Sequence, residues 1–189
     1  MMSIATRITV DEYDRMIAEG AFESEMSRPR LELIDGEILP MSPIGPLHED
    51  LVDALAEWSM TKPPRRTVRV RIQNSVGIPA LESAPQPDVA WVKRGRYGSG
   101  RPLPDVVLGI IEVADSSLVY DRGRKARMFA ATGVKYYWVV NIPGRYVEVF
   151  RDPVNGRCRS HQVFKAPQEI RPLAFPRIKF PLAILFPKS

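Results

Sequence analysis

"VVLGIIEVADSSLVYDRGRKARMFAATGVKYYWVVN" (residues 106–141) reads as a strand, a helix and a second strand, and its reading sets the fold. The opening is nearly all apolar, the pattern of a central strand covered on both faces. "SSLVYDRGRKARMFAATG" is helical, interrupted at Gly123 and stopped by Gly133. "VKYYWVVN" returns to β-branched and aromatic residues, and "YVEVFRD" follows as a further strand beyond the turn "IPGR". Inside the first apolar run stands a carboxylate, Glu112. Burying an ionised carboxylate is costly unless a cation or hydrogen-bond donors meet it. The rest of the chain has to supply what meets Glu112.

Working outward, "TVDEYDRMIAEG" predicts a short first helix, with Thr9 as N-cap, Glu12 at capping-box spacing and Gly20 at the far end. In "RLELIDGEILPMS" two strand-like runs flank Asp35-Gly36, a strong hairpin signal. "SPIGPLHEDLVDALAEWSM" reads as an amphipathic helix with Leu47, Leu51, Leu55 and Trp58 on one face. "TVRVRIQNSVGI" alternates, placing Val68, Val70 and Ile72 on one side and Arg69 and Arg71 on the other. "QPDVAWV" is a short strand entered through a proline, and "KRGRYGSGRPLP" a basic, glycine-rich loop. Strands and helices both recur, so the expectation is an α/β or α+β domain, with helices packed on a mixed sheet.

The totals agree. A chain of 189 residues with 44% hydrophobic content can bury a sizeable core, and is read as a single domain over 1–189. Lys and Arg number 27 against 22 Asp and Glu, a net charge of +5 that weakly favours an anionic partner. The single Cys158 excludes a disulfide framework and a multi-thiolate metal site, and fits a cytoplasmic setting. "MMSIATRITVDEYDRMIAEG" has no apolar centre of the kind a signal peptide needs, and no run is long enough for a membrane helix. The short "FPLAILF" near the C-terminus reads as a core or dimer segment.

Three residues offer an answer for Glu112. Asp88 opens the short strand after Pro87, Glu112 sits within the next long strand, and Lys125 lies on the helix after it, one turn beyond Asp121. Two carboxylates on neighbouring strands can share a divalent cation, and a site of few oxygen ligands suits Mg²⁺. A lysine beside it can orient or deprotonate an attacking water, or stabilise charge on a phosphoryl group. A structural Glu–Lys ion pair is the other reading, since spacing along a chain does not establish proximity.

"ELIDGEILPMSP", "PDVAWV", "GIIEVADSS" and "DRGRKARMFAATGVKYYWVV" together resemble the Uma-two family of putative restriction endonucleases, of the PD-(D/E)xK nuclease superfamily. The resemblance spans roughly residues 8 to 150. It implies a restriction-endonuclease-like mixed sheet flanked by helices, with an N-terminal β-hairpin extension. It further implies a metal-dependent endonuclease acting on DNA, with Mg²⁺ (or Mn²⁺) held by Asp88 and Glu112. Much of the superfamily carries its lysine two residues after the strand glutamate. Ala114 stands there in this chain, and the matching lysine is Lys125 on the following helix. "ADSSL" also departs from the family's usual loop. Two more positions carry over, Glu32 and His48, as residues lining the active-site cleft. His48 could bond a phosphate or a metal-bound water, or be a solvated residue of a first helical turn. Glu32 could reach the metal, or face solvent by strand alternation.

Arg69 and Arg71, the loop arginines Arg94, Arg96 and Arg101, and Arg122, Arg124 and Arg127 around Lys125 are candidate phosphate contacts; solvated faces are the plainer reading for each. "YYW" at 136–138 suits a sheet core better than base stacking. Cys158 and His161, in the basic "NGRCRSHQ", suggest no partner. Cutting both strands of DNA usually takes two active sites, so a homodimer is expected, with the apolar C-terminal segment as one candidate contact. The rival expectation is a non-catalytic nucleic-acid- or protein-binding module on the same fold.

Overall fold

The computed structural model describes residues 7–23, 30–98 and 100–187. Its centre is a six-stranded sheet. In chain order the strands are β3 (Val68–Ile72), β4 (Val89–Lys93), β5 (Val107–Ala114), β6 (Tyr136–Asn141), β7 (Tyr146–Val154) and β8 (Arg157–Phe164), and they lie side by side in that order. Only β5 and β6 run parallel, and the helix between them supplies the crossover such a pair requires. The other neighbours are antiparallel, so the sheet is mixed, as expected.

Two helices cover the sheet. On one face α2 (Pro46–Thr61) buries Leu51, Leu55 and Trp58 against Trp91, Ile111, Val113 and Trp138. On the other, α3 (118–131) packs Ala126, Met128 and Phe129 against Ala90, Ile110, Ala114 and Val139. Alternation along β5 therefore sends Ile111 and Val113 one way and Ile110, Glu112 and Ala114 the other. Both faces are covered, which is why the strand reads as an unbroken apolar run. Tyr136, Tyr137 and Trp138 are all buried, so the "YYW" rings are core.

The N-terminal hairpin, β1 (Leu31–Ile34) with β2 (Glu37–Pro40), turns at Asp35 and Gly36. Their φ angles of 51° and 76° are both left-handed, the backbone a two-residue hairpin turn requires. Leu33 O accepts from Ala84 N and Ser83 Oγ accepts Asp35 N, which docks the hairpin beside the strand-entry loop. The first helix, α1 (Val10–Ala18), carries the expected capping box between Thr9 and Glu12.

One expectation changes, and two segments are placed in detail. Leu47 does not join the apolar face of α2: it lies in the first turn, ahead of the sheet, and is exposed. "NGRCRSHQ", which carries no apolar period, forms the β7–β8 turn and most of β8, an edge strand with no fully buried residue. Of the two readings of the C-terminal "FPLAILF", the core one holds: Phe180, Leu182, Leu185 and Phe186 enter the α2-side core, while Ile184 stays exposed.

Candidate active site

β4 and β5 are neighbours, and this brings Asp88, just before β4, to the side of Glu112 and Val113 on β5. Asp88 Oδ2 accepts from Val113 N at 2.9 Å and lies 3.2 Å from His48 Nε2, delivered by the first turn of α2. Asp88 Oδ1 accepts from Gln73 Nε2 at 3.3 Å. Glu112 Oε2 accepts the Asp88 backbone N–H at 3.2 Å, and Glu112 Oε1 accepts from Lys125 Nζ at 2.9 Å. The question raised by the apolar strand is thereby answered: Glu112 is met by an ammonium and a backbone donor.

Lys125 reaches it from a helix of unusual local form. α3 runs as Leu118–Tyr120, a π-helical turn Asp121–Lys125 around Gly123, then Ala126–Ala131. Such widened turns recur at functional sites. Lys125 Nζ also lies 3.3 Å from Glu32 Oε2 and 3.7 Å from Asp121 Oδ1. Glu32 comes from β1 and is buried, not on the solvent side of the hairpin. Tyr120 Oη donates to Glu32 Oε1 at 3.4 Å and Ser117 Oγ to Asp121 Oδ2 at 2.6 Å.

All five charged groups are between 3 and 6% exposed. Burial drives the pKa of Glu112 well above the ordinary carboxylate range; Lys125 opposes the rise, and Asp121, Asp88 and Glu32 add to it. Asp121 is raised for the same first reason. Burial alone would lower Lys125, but Glu112, Glu32 and Asp121 more than offset it, so its pKa is raised and it is an ammonium. For Asp88 burial is outweighed by His48, the Val113 N–H and Gln73, and its pKa is lowered. The bond to Asp88 raises that of His48.

Sequence reasoning missed three participants. Asp121 was legible only as a helical neighbour of Lys125. Gln73 holds a left-handed φ of 49° where its side chain meets Asp88, and nothing in "RIQNS" announces that. Arg30 lines the cavity and donates to Gln86 Oε1 at 3.2 Å. The candidate phosphate contacts are dispersed. Arg124 clamps the hairpin through Asp35 Oδ2, Glu37 Oε2 and Ile34 O, Arg122 pairs with Glu148, and Arg127 is exposed. Arg69 and Arg71 lie on β3, Arg71 bonding Ser75 O and lying over the Tyr97 ring.

The cavity holds about 110 Å³, where a single water needs roughly 10–15 Å³. Glu32, Asp88, Glu112, Asp121 and Lys125 all line it. Four carboxylates face the Lys125 ammonium and the Arg30 guanidinium there, an excess of carboxylates that a cation would relieve. Among the described residues no group of three or more His, Cys, Asp or Glu side chains is placed to hold a metal ion together. Mg²⁺ does not need one: it keeps several waters and is often bound through one or two carboxylates. The all-oxygen donor set, the room for an ion with several waters and the excess of carboxylates fit Mg²⁺ or Mn²⁺.

A six-stranded mixed sheet, helices on both of its faces and a parallel pair joined by a crossover helix make up the architecture that carries this site. The chain belongs to the Uma2 family, described as putative restriction endonuclease, whose match runs over residues 10–183. One solved structure it resembles is the crystal structure of a putative nuclease belonging to DUF820 from Anabaena variabilis. The two are 17% identical, with 95% of this chain and 97% of that chain covered and a TM-score of 0.65. At that identity the likeness speaks for the fold. No curated protein matches the chain. Among the described residues, no helix is long and apolar enough to cross a membrane.

Proposed function

We propose that this protein is a metal-dependent endonuclease that hydrolyses phosphodiester bonds of DNA. The observation that carries the reading is the convergence of Asp88 from the entry to β4, Glu112 from β5 and Lys125 from α3 on one cavity rich in carboxylates. Family membership supports nuclease chemistry and DNA as the substrate. Asp88 and Glu112 would hold Mg²⁺ or Mn²⁺, with Glu32 and Asp121 beside them. The metal supplies Lewis acidity and an acidified water when bound.

The chain's own groups have separable tasks. Lys125, held as an ammonium, orients the attacking water and offsets charge that develops on the phosphoryl oxygens. It is not the base in this state. Arg30, on the cavity wall, contacts a non-bridging phosphate oxygen. His48 fixes the orientation of Asp88 and shields its charge. Water adds to phosphorus and gives up a proton to bulk solvent, the P–O bond to the departing strand breaks, and the leaving oxygen takes up a proton from solvent, so one proton is lost and one gained. A homodimer accompanies the reading, because two sites are needed to cut both strands of a duplex.

The test is cleavage of supercoiled plasmid. Nicked or linear product should form with Mg²⁺ or Mn²⁺, vanish in EDTA, and be lost in Lys125→Ala. Salt-sensitive DNA retention with no cutting in any metal would place the protein with non-catalytic binding modules instead.

A further inference from the structure

The helix-facing side of the sheet carries a second buried carboxylate, Glu148, which the active site does not use. Val139 pairs with Glu112 across β5–β6 and with Glu148 across β6–β7. The two carboxylates therefore stand in one row on the same face, two strand spacings or roughly 10 Å apart. α3 answers each with its own cation. Lys125 meets Glu112, and Arg122 Nε lies 2.8 Å from Glu148 Oε1. Glu148 Oε2 also receives His161 Nε2 at 2.7 Å. The His161 ring is stacked on Phe150, with centroids 4.4 Å apart and planes at 9°.

Between α3 and the β7–β8 hairpin opens a cavity of about 330 Å³, with Arg122, Arg127, Arg157, His161 and Phe150 on its wall. The wall is cationic, since Glu148 lies behind it and does not line it. Arg122 Nε pairs by charge with Glu148 Oε1, which accepts no hydrogen bond among the described residues, and the two terminal nitrogens of Arg122 meet no acceptor there. Arg127 and Arg157 have no carboxylate partner there either. A guanidinium anchored from behind has lost much of its rotamer freedom already and still presents the fork that matches two phosphate oxygens. The buried carboxylate thus acts as a bracket for two side chains whose donors point elsewhere.

We infer that this cavity is a second anion site that binds a phosphate group, taken from the backbone of nucleic acid bound across the same helix. The backbone as the source rests on the function proposed above; the phosphate chemistry does not. A phosphodiester here and one at the acidic centre would fix the strand on both sides of α3, giving register without reading sequence.

The experiment uses the full chain in EDTA, with two readouts. One is the His161 ring resonance during titration with inorganic phosphate and, separately, with a short DNA duplex. The other is duplex affinity by fluorescence anisotropy against salt, for wild type, for Arg127→Ala with Arg157→Ala, and for Arg127→Lys with Arg157→Lys. Both arginines are exposed and outside the catalytic machinery. The expected result is a His161 shift with either ligand. With the alanines, duplex affinity should fall about tenfold and the salt slope by roughly two, while the lysines keep the slope. A His161 shift with inorganic phosphate, but unchanged duplex binding in the alanine variant, supports the site and overturns the backbone as its source. No His161 response to either ligand overturns the site. Failure of the nuclease reading would show separately, as plasmid cutting that is absent or ignores Lys125→Ala, and would leave the His161 result intact.

Discussion

Lys125 Nζ lies 2.9 Å from Glu112 Oε1, both groups are buried, and the lysine arrives through a π-helical turn while the glutamate sits in the middle of an apolar strand. The contact is structural and functional at once. Without a metal, the ammonium is the main charge that keeps Glu112, Glu32 and Asp121 compatible with burial.

Removing Lys125 alone should therefore hurt twice. Lys125→Ala strands buried carboxylates, and we expect a loss of about 3–5 kcal/mol in urea unfolding and at least a hundredfold fall in cleavage. Lys125→Met with Glu112→Gln removes the charge with its partner. Stability should recover by a large part of that loss while cleavage stays absent. A double variant that recovered cleavage would remove Lys125 from the chemistry.

The pKa directions set a stability profile for the metal-free protein. Glu112 titrates higher folded than unfolded, so its contribution falls as pH rises from the ordinary carboxylate range through its raised value. Asp88 titrates lower folded than unfolded, so its contribution is lost as pH falls through its lowered value. Unfolding free energy should pass through a maximum between these limbs. Glu112→Gln should flatten the alkaline limb and leave the acid limb, as read by urea titrations from about pH 2 to about pH 8.

His48 offers a spectroscopic reading of Asp88. Its pKa is raised by the Asp88 carboxylate, so its proton is held to higher pH than in an ordinary histidine. A cation on Asp88 competes for that carboxylate. Adding Mg²⁺ should lower the His48 titration midpoint measured by NMR, and Asp88→Asn should lower it without metal. A midpoint indifferent to both would dissociate His48 from Asp88 in solution.

The hairpin that carries Glu32 depends on Arg124 and Gly36. Arg124→Ala removes three contacts from a partly exposed guanidinium, a cost of about 1 kcal/mol or less. Gly36→Ala forces a Cβ to within 2.7 Å of Arg7 Cβ at a φ of 76° and should cost more than about 1 kcal/mol. In both variants cleavage should drop further than stability explains, because Glu32 loses its position. Full cleavage by a folded Arg124→Ala protein would separate the hairpin from the site.

Much of this was legible in the chain. The capping box at Thr9, the Asp35-Gly36 turn and the covered strand at Glu112 are local chemistry, each written within a few residues. Lys125 was legible through its place in the family pattern and through the problem Glu112 poses. Glu32 was not settled by alternation, because both sides of its hairpin are partly covered and period two cannot tell core from cleft. Asp121, Gln73 and Arg30 were hidden because their roles arise from residues far away in sequence. β8 was hidden because an edge strand with no fully buried residue has no apolar period to read.

The most direct measurement of the central claim is calorimetric titration of Mn²⁺ into the wild type, Asp88→Asn and Glu112→Gln, each with and without a DNA duplex. The account expects binding by the wild type that is abolished by either substitution, with the duplex strengthening it. Binding that survives both substitutions, or wild-type protein that binds no metal even with duplex present, would contradict a metal centre at Asp88 and Glu112.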